Sequence, residues 1–190
     1  MKATEPIRDK NQVAQLLMYY LNLGQMRNQL LIVLCLHTAL RISDILRLTT
    51  DHVYDFKNRR VRKSITITEK KTGKTKTIAL HKNIHTILAA CLPTAIPGRP
   101  LICNKYTNKP ISRVQAYRLI RAAAESLGFS CSISCHSLRK TFGYHAWKAG
   151  TSPAVIMDIY NHSSLAVTQR YLGITQDDKN IVYLGLDFVR

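Results

Sequence analysis

The sequence has 190 residues, of which 46% are hydrophobic and 21% are charged, a composition typical of an ordinary globular protein. It contains 28 lysines and arginines against 11 aspartates and glutamates, and this net charge of +17 favours a polyanionic partner such as nucleic acid. The longest apolar run, residues 30–36, is too short to cross a bilayer, so no membrane-spanning helix is expected.

The first third of the chain shows helical patterns. Apolar residues follow helical spacing over residues 9–23, and Gly24 suits the end of that helix. A second helix is predicted over residues 26–40, apolar enough to lie in the core. Ser43 is predicted to cap a short third helix that runs through residue 48. This part of the chain is therefore expected to be entirely helical.

A strand pattern follows. Over residues 60–69, isoleucines alternate with threonines, and residues 75–80 form a plausible returning strand. The turn between them reads Lys-Lys-Thr-Gly-Lys, in which Gly73 is able to take left-handed geometry. The sequence therefore predicts a hairpin whose turn is rich in lysine.

Helical patterns then return. Predicted helices cover about residues 82–92, 112–127, 136–149, 153–160 and 163–171. Ser112 suits the cap of the second of these, and Pro153 suits the first turn of the fourth. A final amphipathic piece contains residues 181–186. Together these patterns predict one α+β domain over residues 1–190, mostly helical with one small antiparallel sheet.

Arg41 is the first candidate for chemistry. It stands in the segment Thr-Ala-Leu-Arg-Ile-Ser-Asp-Ile-Leu, directly after a run of apolar residues. A charge there is costly unless it is paired or contacts a ligand, and a planar guanidinium can hold two phosphate oxygens. An ion pair with Asp44, or a surface position at a helix end, would explain Arg41 equally well.

Two further segments contain groups suited to phosphate chemistry. His136 and Arg139 are three residues apart, which places them on one helical face, although a solvated basic face has the same spacing. His162 precedes Tyr171 by nine residues. The pKa of a phenol is about 10, so a nucleophilic tyrosine needs nearby cations that stabilise its anion. Most tyrosines, however, are packed amphipathic side chains.

In order and spacing, these segments resemble the catalytic domain of tyrosine recombinases, the phage-integrase family that includes the Xer and fimbrial-switch recombinases. The segment around Arg41 resembles the family's first arginine motif, and His-Ser-Leu-Arg at residues 136–139 its His-x-x-Arg motif. The segment from His162 to Tyr171 resembles its His-to-Tyr motif. The resemblance covers about residues 4–186.

Two positions need comment within this resemblance. The family's hairpin lysine corresponds to Lys71, with Lys70 as the alternative. Asn161 stands where the family usually has glycine, and asparagine tolerates left-handed geometry better than most residues. This departure affects the placement of His162 and leaves the family assignment intact.

The resemblance implies six catalytic residues, namely Arg41, Lys71, His136, Arg139, His162 and Tyr171. Tyr171 would attack a DNA phosphate to form a 3′-phosphotyrosyl link, while Arg41 and Arg139 hold the non-bridging oxygens. Lys71 would protonate the leaving 5′-oxygen, and His136 would assist proton transfer from the phenol. His162 would donate a hydrogen bond to the phosphate. Religation conserves the bond energy, so no cofactor or metal is implied.

The implied partners are double-stranded DNA and further copies of the chain. Recombination of two duplexes needs four protomers, so a DNA-dependent homotetramer is expected, and an accessory DNA-bending protein is a candidate partner. Residues 181–186 would pack on their own domain or on a neighbouring protomer. The odd number of cysteines and the lack of a signal peptide favour a bacterial cytoplasmic or nucleoid location. The family's N-terminal core-binding domain is expected to be absent.

Other interpretations stay open at this stage. A type IB topoisomerase shares the tyrosine chemistry, and a DNA-binding regulator with this fold would lack catalysis. A basic RNA-binding protein would share the charge. The sequence indicates neither the target site nor whether the reaction is integration, excision, inversion or dimer resolution.

Overall fold

The computed structural model describes residues 4–92, 96–130 and 132–188. The helices, in chain order, are α1 Lys10–Asn22, α2 Met26–His37, α3 Ile42–Ile45, α4 Thr50–Val53, α5 Lys82–Cys91, α6 Arg113–Ser126, α7 Cys135–Lys148, α8 Pro153–Tyr160, α9 Leu165–Leu172 and α10 Gln176–Gly185. The strands are β1 Tyr54–Asp55, β2 Arg60–Val61, β3 Ser64–Thr68 and β4 Thr75–Ala79. The predicted mostly helical α+β fold is confirmed.

The first helices form where the sequence predicts them, with two corrections at their ends. The Asp9 carboxylate caps α1 by accepting a hydrogen bond from the Asn11 N–H at 2.8 Å. Helix α2 ends at His37, short of residue 40, because Ala39 has a left-handed φ of 54° that breaks the helical path. The predicted cap at Ser43 is wrong, since α3 begins at Ile42 and Arg41 holds the cap position.

The strand region forms two small sheets, whereas one was predicted. Strands β3 and β4 make the expected hairpin, in which Ser64 pairs with Ala79, and Gly73 takes a φ of +67° in its turn. The first residues of the predicted strand belong to β2, which pairs instead with β1. The extended strand is interrupted between β2 and β3, where the Arg62 N–H donates to the Val53 carbonyl. Helix α4 and strand β1 were not predicted.

The predicted helices of the second half are confirmed within two residues at their ends. Ser112 caps α6 by accepting from the Gln115 N–H at 3.1 Å, and Pro153 occupies the first turn of α8. Helix α7 starts one residue early because Ser134 is its cap. Helix α9 starts at Leu165, after its cap Ser164.

The main core is built around α2, in which every residue from Asn28 to Leu36 is buried. Each fully buried aliphatic side chain in such a core contributes roughly 1.5–3 kcal/mol. A second, smaller cluster, formed by Ala39, Ile156, Tyr160 and Leu172, lies under α8 and α9. Tyr171 is partly buried and packs against this second cluster.

Gly143 in α7 allows the second cluster to form. A Cβ atom at this position would lie 2.8 Å from Cε2 of Tyr160 and 2.9 Å from Cδ2 of Leu172, both closer than real contacts allow. The absence of a side chain therefore lets α8 and α9 pack directly against α7. This packing brings the helix of His136 and Arg139 next to the helix of Tyr171.

The last helix is only loosely attached to the domain. No residue of α10 is buried, and Ile181 and Leu184 are 64% and 87% exposed. Its first turn is held by an ion pair of 2.6 Å between Asp178 and Lys148. Packing of residues 181–186 on their own domain is therefore not what the structure shows. Within the described part of the chain, no helix has the length and apolarity needed to cross a membrane.

Candidate active site

One open cavity, with a volume of about 1140 Å³, is lined by all the residues that the sequence assigns to catalysis. They are Arg41, Lys71, His136, Arg139, His162 and Tyr171. The alternative hairpin lysine, Lys70, also lines it. The cavity lies between the start of α3, the turn of the β3–β4 hairpin, the first turns of α7 and the end of α9. The fold thus brings together residues that are far apart in the sequence.

Arg139 is the most firmly held of the cationic residues. Its side chain is 3% exposed, and it donates hydrogen bonds to the carbonyls of Ala39 and, at 3.1 Å, of Tyr160. The Tyr160 hydroxyl in turn donates to the Arg139 carbonyl at 2.6 Å. Two of the five N–H donors of the guanidinium are used by these carbonyls, and the group also interacts with the Tyr171 hydroxyl at the cavity.

Arg41 is paired with a residue that the sequence analysis did not single out. Its Nη1 lies 2.9 Å from Oε2 of Glu69, and its Nη2 donates to the Tyr160 carbonyl at 3.5 Å. The suggested ion pair with Asp44 is not formed, because that carboxylate accepts from the Lys70 N–H at 2.9 Å and lies 3.8 Å from Arg47. Arg41 and Arg139 therefore share the Tyr160 carbonyl and lie side by side.

Glu69 is buried yet ionised. Burial is the largest influence on its pKa and raises it, but hydrogen bonds from Lys76, Asn161 and Thr72 outweigh burial and bring the pKa to about 2. A signal for this residue was present in the sequence, because Glu69 continues the alternation of the buried Ile65 and Ile67. A carboxylate in phase with buried isoleucines needs a cationic partner.

Asn161 places His162 at the cavity. It ends α8 with φ 53° and ψ 44°, so the expected left-handed conformation is confirmed. Its side-chain amide also donates to Oε2 of Glu69 at 2.9 Å. The His162 ring is fixed by a contact of 3.0 Å between its Nδ1 and the hydroxyl of the buried Thr168.

Tyr171 faces His136 across the cavity. The phenolic oxygen lies 3.4 Å from Nδ1 of His136, and the two rings are perpendicular with centroids 4.9 Å apart. Burial raises the pKa of Tyr171 to about 12, although Arg139 and Arg41 act in the opposite direction. The phenol is therefore protonated at neutral pH, and it can act as a nucleophile only with a base within reach.

Both histidines of the site are neutral at physiological pH. Burial, followed by the charges of Lys140 and Arg139, lowers the pKa of His136. Burial, followed by the charges of Arg139 and Arg41, lowers the pKa of His162 to about 4. A neutral His136 at hydrogen-bonding range of the phenol is able to accept its proton.

We expect His162 to make the free energy of unfolding depend on pH. The pKa of His162 is about 4 when folded and about 6.5 when unfolded, so the unfolded chain binds more protons between these values. Its contribution to stability is complete above about pH 6.5 and is lost as the pH falls towards 4. Between about pH 7 and pH 5, the free energy of unfolding in urea should fall less for His162→Gln than for the wild type. An equal fall in both proteins would contradict the low pKa of His162.

Metal ligation has no support in the described residues. No group of three or more His, Cys, Asp or Glu side chains there is arranged to hold a metal ion. The described cysteines, Cys35, Cys91, Cys103 and Cys135, are free thiols. The cavity is lined by phenol, guanidinium, lysine amine and imidazole groups, and also by Cys135, Ser43 and Ser134.

Comparisons with known proteins agree on one family. The sequence model of the phage integrase family matches residues 8–177. The Bacillus subtilis protein named "Probable integrase/recombinase YoeC" is 36% identical over 183 residues, which cover 96% of this chain and 97% of that protein. The tyrosine recombinase XerD of Mycobacterium leprae is 28% identical over 170 residues, which cover 84% of this chain and 52% of XerD.

Solved structures share the fold at low sequence identity. The XerH site-specific recombinase superposes with a TM-score of 0.75 at 18% identity, covering 97% of this chain and 53% of that one. The chain therefore spans nearly all of YoeC but about half the length of XerD and XerH. At this identity the structural match establishes the fold and leaves the reaction to be argued from the site.

Proposed function

The chain belongs to the phage integrase family of site-specific tyrosine recombinases, and we propose that it cleaves and rejoins DNA strands through a 3′-phosphotyrosyl intermediate on Tyr171. The observation that carries this proposal is the placement of the Tyr171 hydroxyl, 3.4 Å from His136 Nδ1, in a cavity lined by both arginines. The relatives reported above are integrases or recombinases, which favours strand exchange over topoisomerase-like relaxation or a purely regulatory role.

The cleavage step follows from the groups in the cavity. The phenolic oxygen of Tyr171 forms a bond to phosphorus as the bond from phosphorus to the 5′-oxygen breaks, and the phenolic proton passes to His136. Arg41 and Arg139 donate to the non-bridging oxygens, where negative charge is held in the transition state. His162 supplies a further hydrogen bond to the same phosphate. Attack by a 5′-hydroxyl reverses these steps and joins the strand.

The departing 5′-oxygen needs a proton, and we assign its delivery to Lys71. Lys71 and Lys70 both line the cavity from the exposed hairpin turn. The Lys70 backbone is tied to Asp44 by a hydrogen bond of 2.9 Å, whereas Lys71 lies one residue further into the exposed hairpin turn. A cation on such a turn can move towards the leaving group when DNA is bound.

Lys71→Ala is expected to slow strand cleavage by on the order of 100-fold or more, the typical contribution of a general acid. A duplex in which sulfur replaces the bridging 5′-oxygen should restore the rate, because a thiolate leaves without protonation. Lys70→Ala is the matched control and should show a small defect on both duplexes. Sulfur rescue of Lys70→Ala instead would move the role to that residue.

Double-stranded DNA is the substrate that fits the site and the charge. The net charge of +17 favours binding to phosphates, and the XerH structure of the same fold contains a palindromic difH substrate in a post-cleavage complex.

Strand exchange between two duplexes needs four active sites, so we propose a homotetramer that assembles on DNA. The exposed apolar residues of α10 provide a surface for contacts between protomers. An accessory DNA-bending protein and a cytoplasmic location belong to the same proposal.

A suicide duplex tests the reaction directly. A nicked duplex drawn from DNA that flanks the gene loses the short fragment after cleavage, which traps the covalent complex. A protein–DNA adduct that survives denaturation is expected. Binding without an adduct would favour the regulatory role, and relaxation of plasmids that lack a specific site would favour the topoisomerase role.

A further inference from the structure

Glu69 is the centre of a buried hydrogen-bond network behind the catalytic cavity. Its side chain is fully buried at the end of β3. Oε2 accepts hydrogen bonds of 2.9 Å from Arg41 Nη1, from the Thr72 hydroxyl and from the Asn161 amide. Oε1 pairs with Lys76 Nζ at 2.9 Å. One carboxylate therefore holds four side chains.

Three of these four side chains belong to the catalytic segments. Arg41 is itself a proposed phosphate ligand. Thr72 follows Lys71 in the hairpin turn, and Asn161 precedes His162 at the end of α8. A single buried group thus joins the first arginine, the lysine turn and the second histidine, which come from separate parts of the sequence.

The contact with Arg41 is the one most directly linked to catalysis. The other hydrogen bond of Arg41, to the Tyr160 carbonyl, is long at 3.5 Å. Arg41 also carries no cap hydrogen bond to the start of α3. Its guanidinium is therefore oriented mainly by Glu69, and a charge-assisted bond of 2.9 Å between two planar groups restricts that orientation strongly.

We propose that Glu69 is a positioning residue for strand cleavage, which holds the Arg41 guanidinium at the place where the scissile phosphate is bound. Asn161 belongs to the same hydrogen-bond network, because its side-chain amide donates to the Glu69 carboxylate. A glycine could take the same left-handed conformation but could not make this contact. This inference rests on the proposed recombinase function. It adds to that function a residue that acts through Arg41 and does not itself touch the DNA.

The variant must remove the carboxylate without leaving Lys76, the more buried of its two cationic partners, unpaired. Glu69→Gln combined with Lys76→Met keeps the volume of both side chains and removes their charges together. Lys76→Met alone is the matched control, because it leaves the bond between Glu69 and Arg41 in place. Thermal unfolding of both proteins establishes that they are folded at the assay temperature.

The reaction is followed on suicide duplexes at saturating concentration, with three forms of the scissile linkage. On the natural phosphodiester, the double variant should cleave on the order of 100-fold more slowly than Lys76→Met, as expected when a catalytic group is misplaced by about 1 Å. On a methylphosphonate, which carries no negative charge, most of this difference should vanish, because Arg41 has no anion to stabilise. On the 5′-sulfur linkage the difference should persist. Arg41→Ala should show the same pattern.

The outcomes separate the possibilities. Rescue by the 5′-sulfur linkage would mean that Glu69 acts through the Lys71 turn, and rescue by neither linkage would mean a general structural role; either result overturns the inference. Equal rates for the double variant and its control also overturn it. If the wild type itself forms no adduct on the phosphodiester, the proposed function fails first, and the two failures are thereby distinguished.

Asn161→Gly provides an independent check on the network. Glycine keeps the left-handed turn but removes the amide that donates to Glu69. The substitution should slow cleavage in the Lys76→Met background and have no further effect in the double variant, because its partner is then already lost. If Asn161→Gly slows cleavage by the same factor in both backgrounds, Asn161 does not act through Glu69.

Discussion

Tyr171→Phe is expected to abolish the covalent protein–DNA adduct while the affinity for the duplex stays nearly unchanged. The loss should be on the order of 10⁴-fold or more, because the substitution removes the attacking atom itself. The fold should survive. The Tyr171 ring packs against the rings of Tyr160, His136 and His162 with centroids 4.9 Å apart, and phenylalanine keeps these contacts. The hydroxyl lies 3.4 Å from Nδ1 of His136 and also interacts with the Arg139 side chain, so its loss removes only surface-accessible polar contacts at the cavity.

Adduct formation on the suicide duplex and DNA binding by titration measure the two effects separately. Tyr117→Phe is the matched control, because Tyr117 lines the same cavity and its hydroxyl contacts only Arg121 among the described residues. It should form the adduct at close to the wild-type rate. An adduct that persists in Tyr171→Phe and disappears in Tyr117→Phe would assign the nucleophile to the other tyrosine.

The sequence could indicate which candidate residues line one cavity, because each motif is local. His136 and Arg139 share one helix face, and both lie in the first turns of α7. His162 directly follows the left-handed end of α8, and Tyr171 lies in the last turn of the short helix α9, so a segment of nine residues brings both rings to the same cavity. Short motifs of this kind carry their geometry with them, and the order of the motifs then indicates the fold.

The contacts between the motifs could not be predicted in the same way. The pairing of Glu69 with Arg41 spans 28 residues, and its pairing with Asn161 spans 92 residues. The periodicity of a helix or a strand gives no information about contacts at such sequence separations. The alternation of Ile65, Ile67 and Glu69 in β3 indicated only that Glu69 faces inward. The left-handed Ala39 is likewise a tertiary effect, since its carbonyl accepts from Arg139. Strand β1 is two residues long, which is too short to show an alternation.

The electrostatic state of the free site suits a reaction that starts only when DNA is bound. The pKa of Tyr171 is about 12 and that of His162 about 4, so the phenol and the imidazole are both uncharged near neutral pH. The positive charge of the cavity resides on its arginines and lysines. A bound phosphate partly neutralises these cations, which favours a proton on either histidine and at the same time opposes ionisation of the phenol. Proton transfer from the phenol is thereby linked to substrate binding.

Arg139→Ala is expected to reduce the cleavage rate at saturating DNA by about 10²–10³-fold, the effect of removing a donor from a site of developing negative charge. It should also lower stability, because the carbonyls of Ala39 and Tyr160 lose a buried donor, at roughly 1–3 kcal/mol for each unsatisfied group. Arg139→Lys keeps the charge, but an ammonium group does not reproduce a planar fork that bonds two carbonyls and a phosphate at once. Its cleavage rate should lie between those of the wild type and the alanine variant.

Arg113→Ala is the control that separates charge from position. Arg113 lines the same cavity from the exposed start of α6, so its loss should weaken DNA binding and reduce the salt dependence of affinity while cleavage at saturation changes little. Arg139→Ala should show the opposite division, since we propose that its buried side chain binds the reacting phosphate and not the flanking DNA. A folded Arg139→Ala protein that cleaves at the wild-type rate would exclude this residue from the reaction. The phosphate would then be held by Arg41 and His162, and the fixed geometry of Arg139 would have to be explained by the packing of α7 against α8.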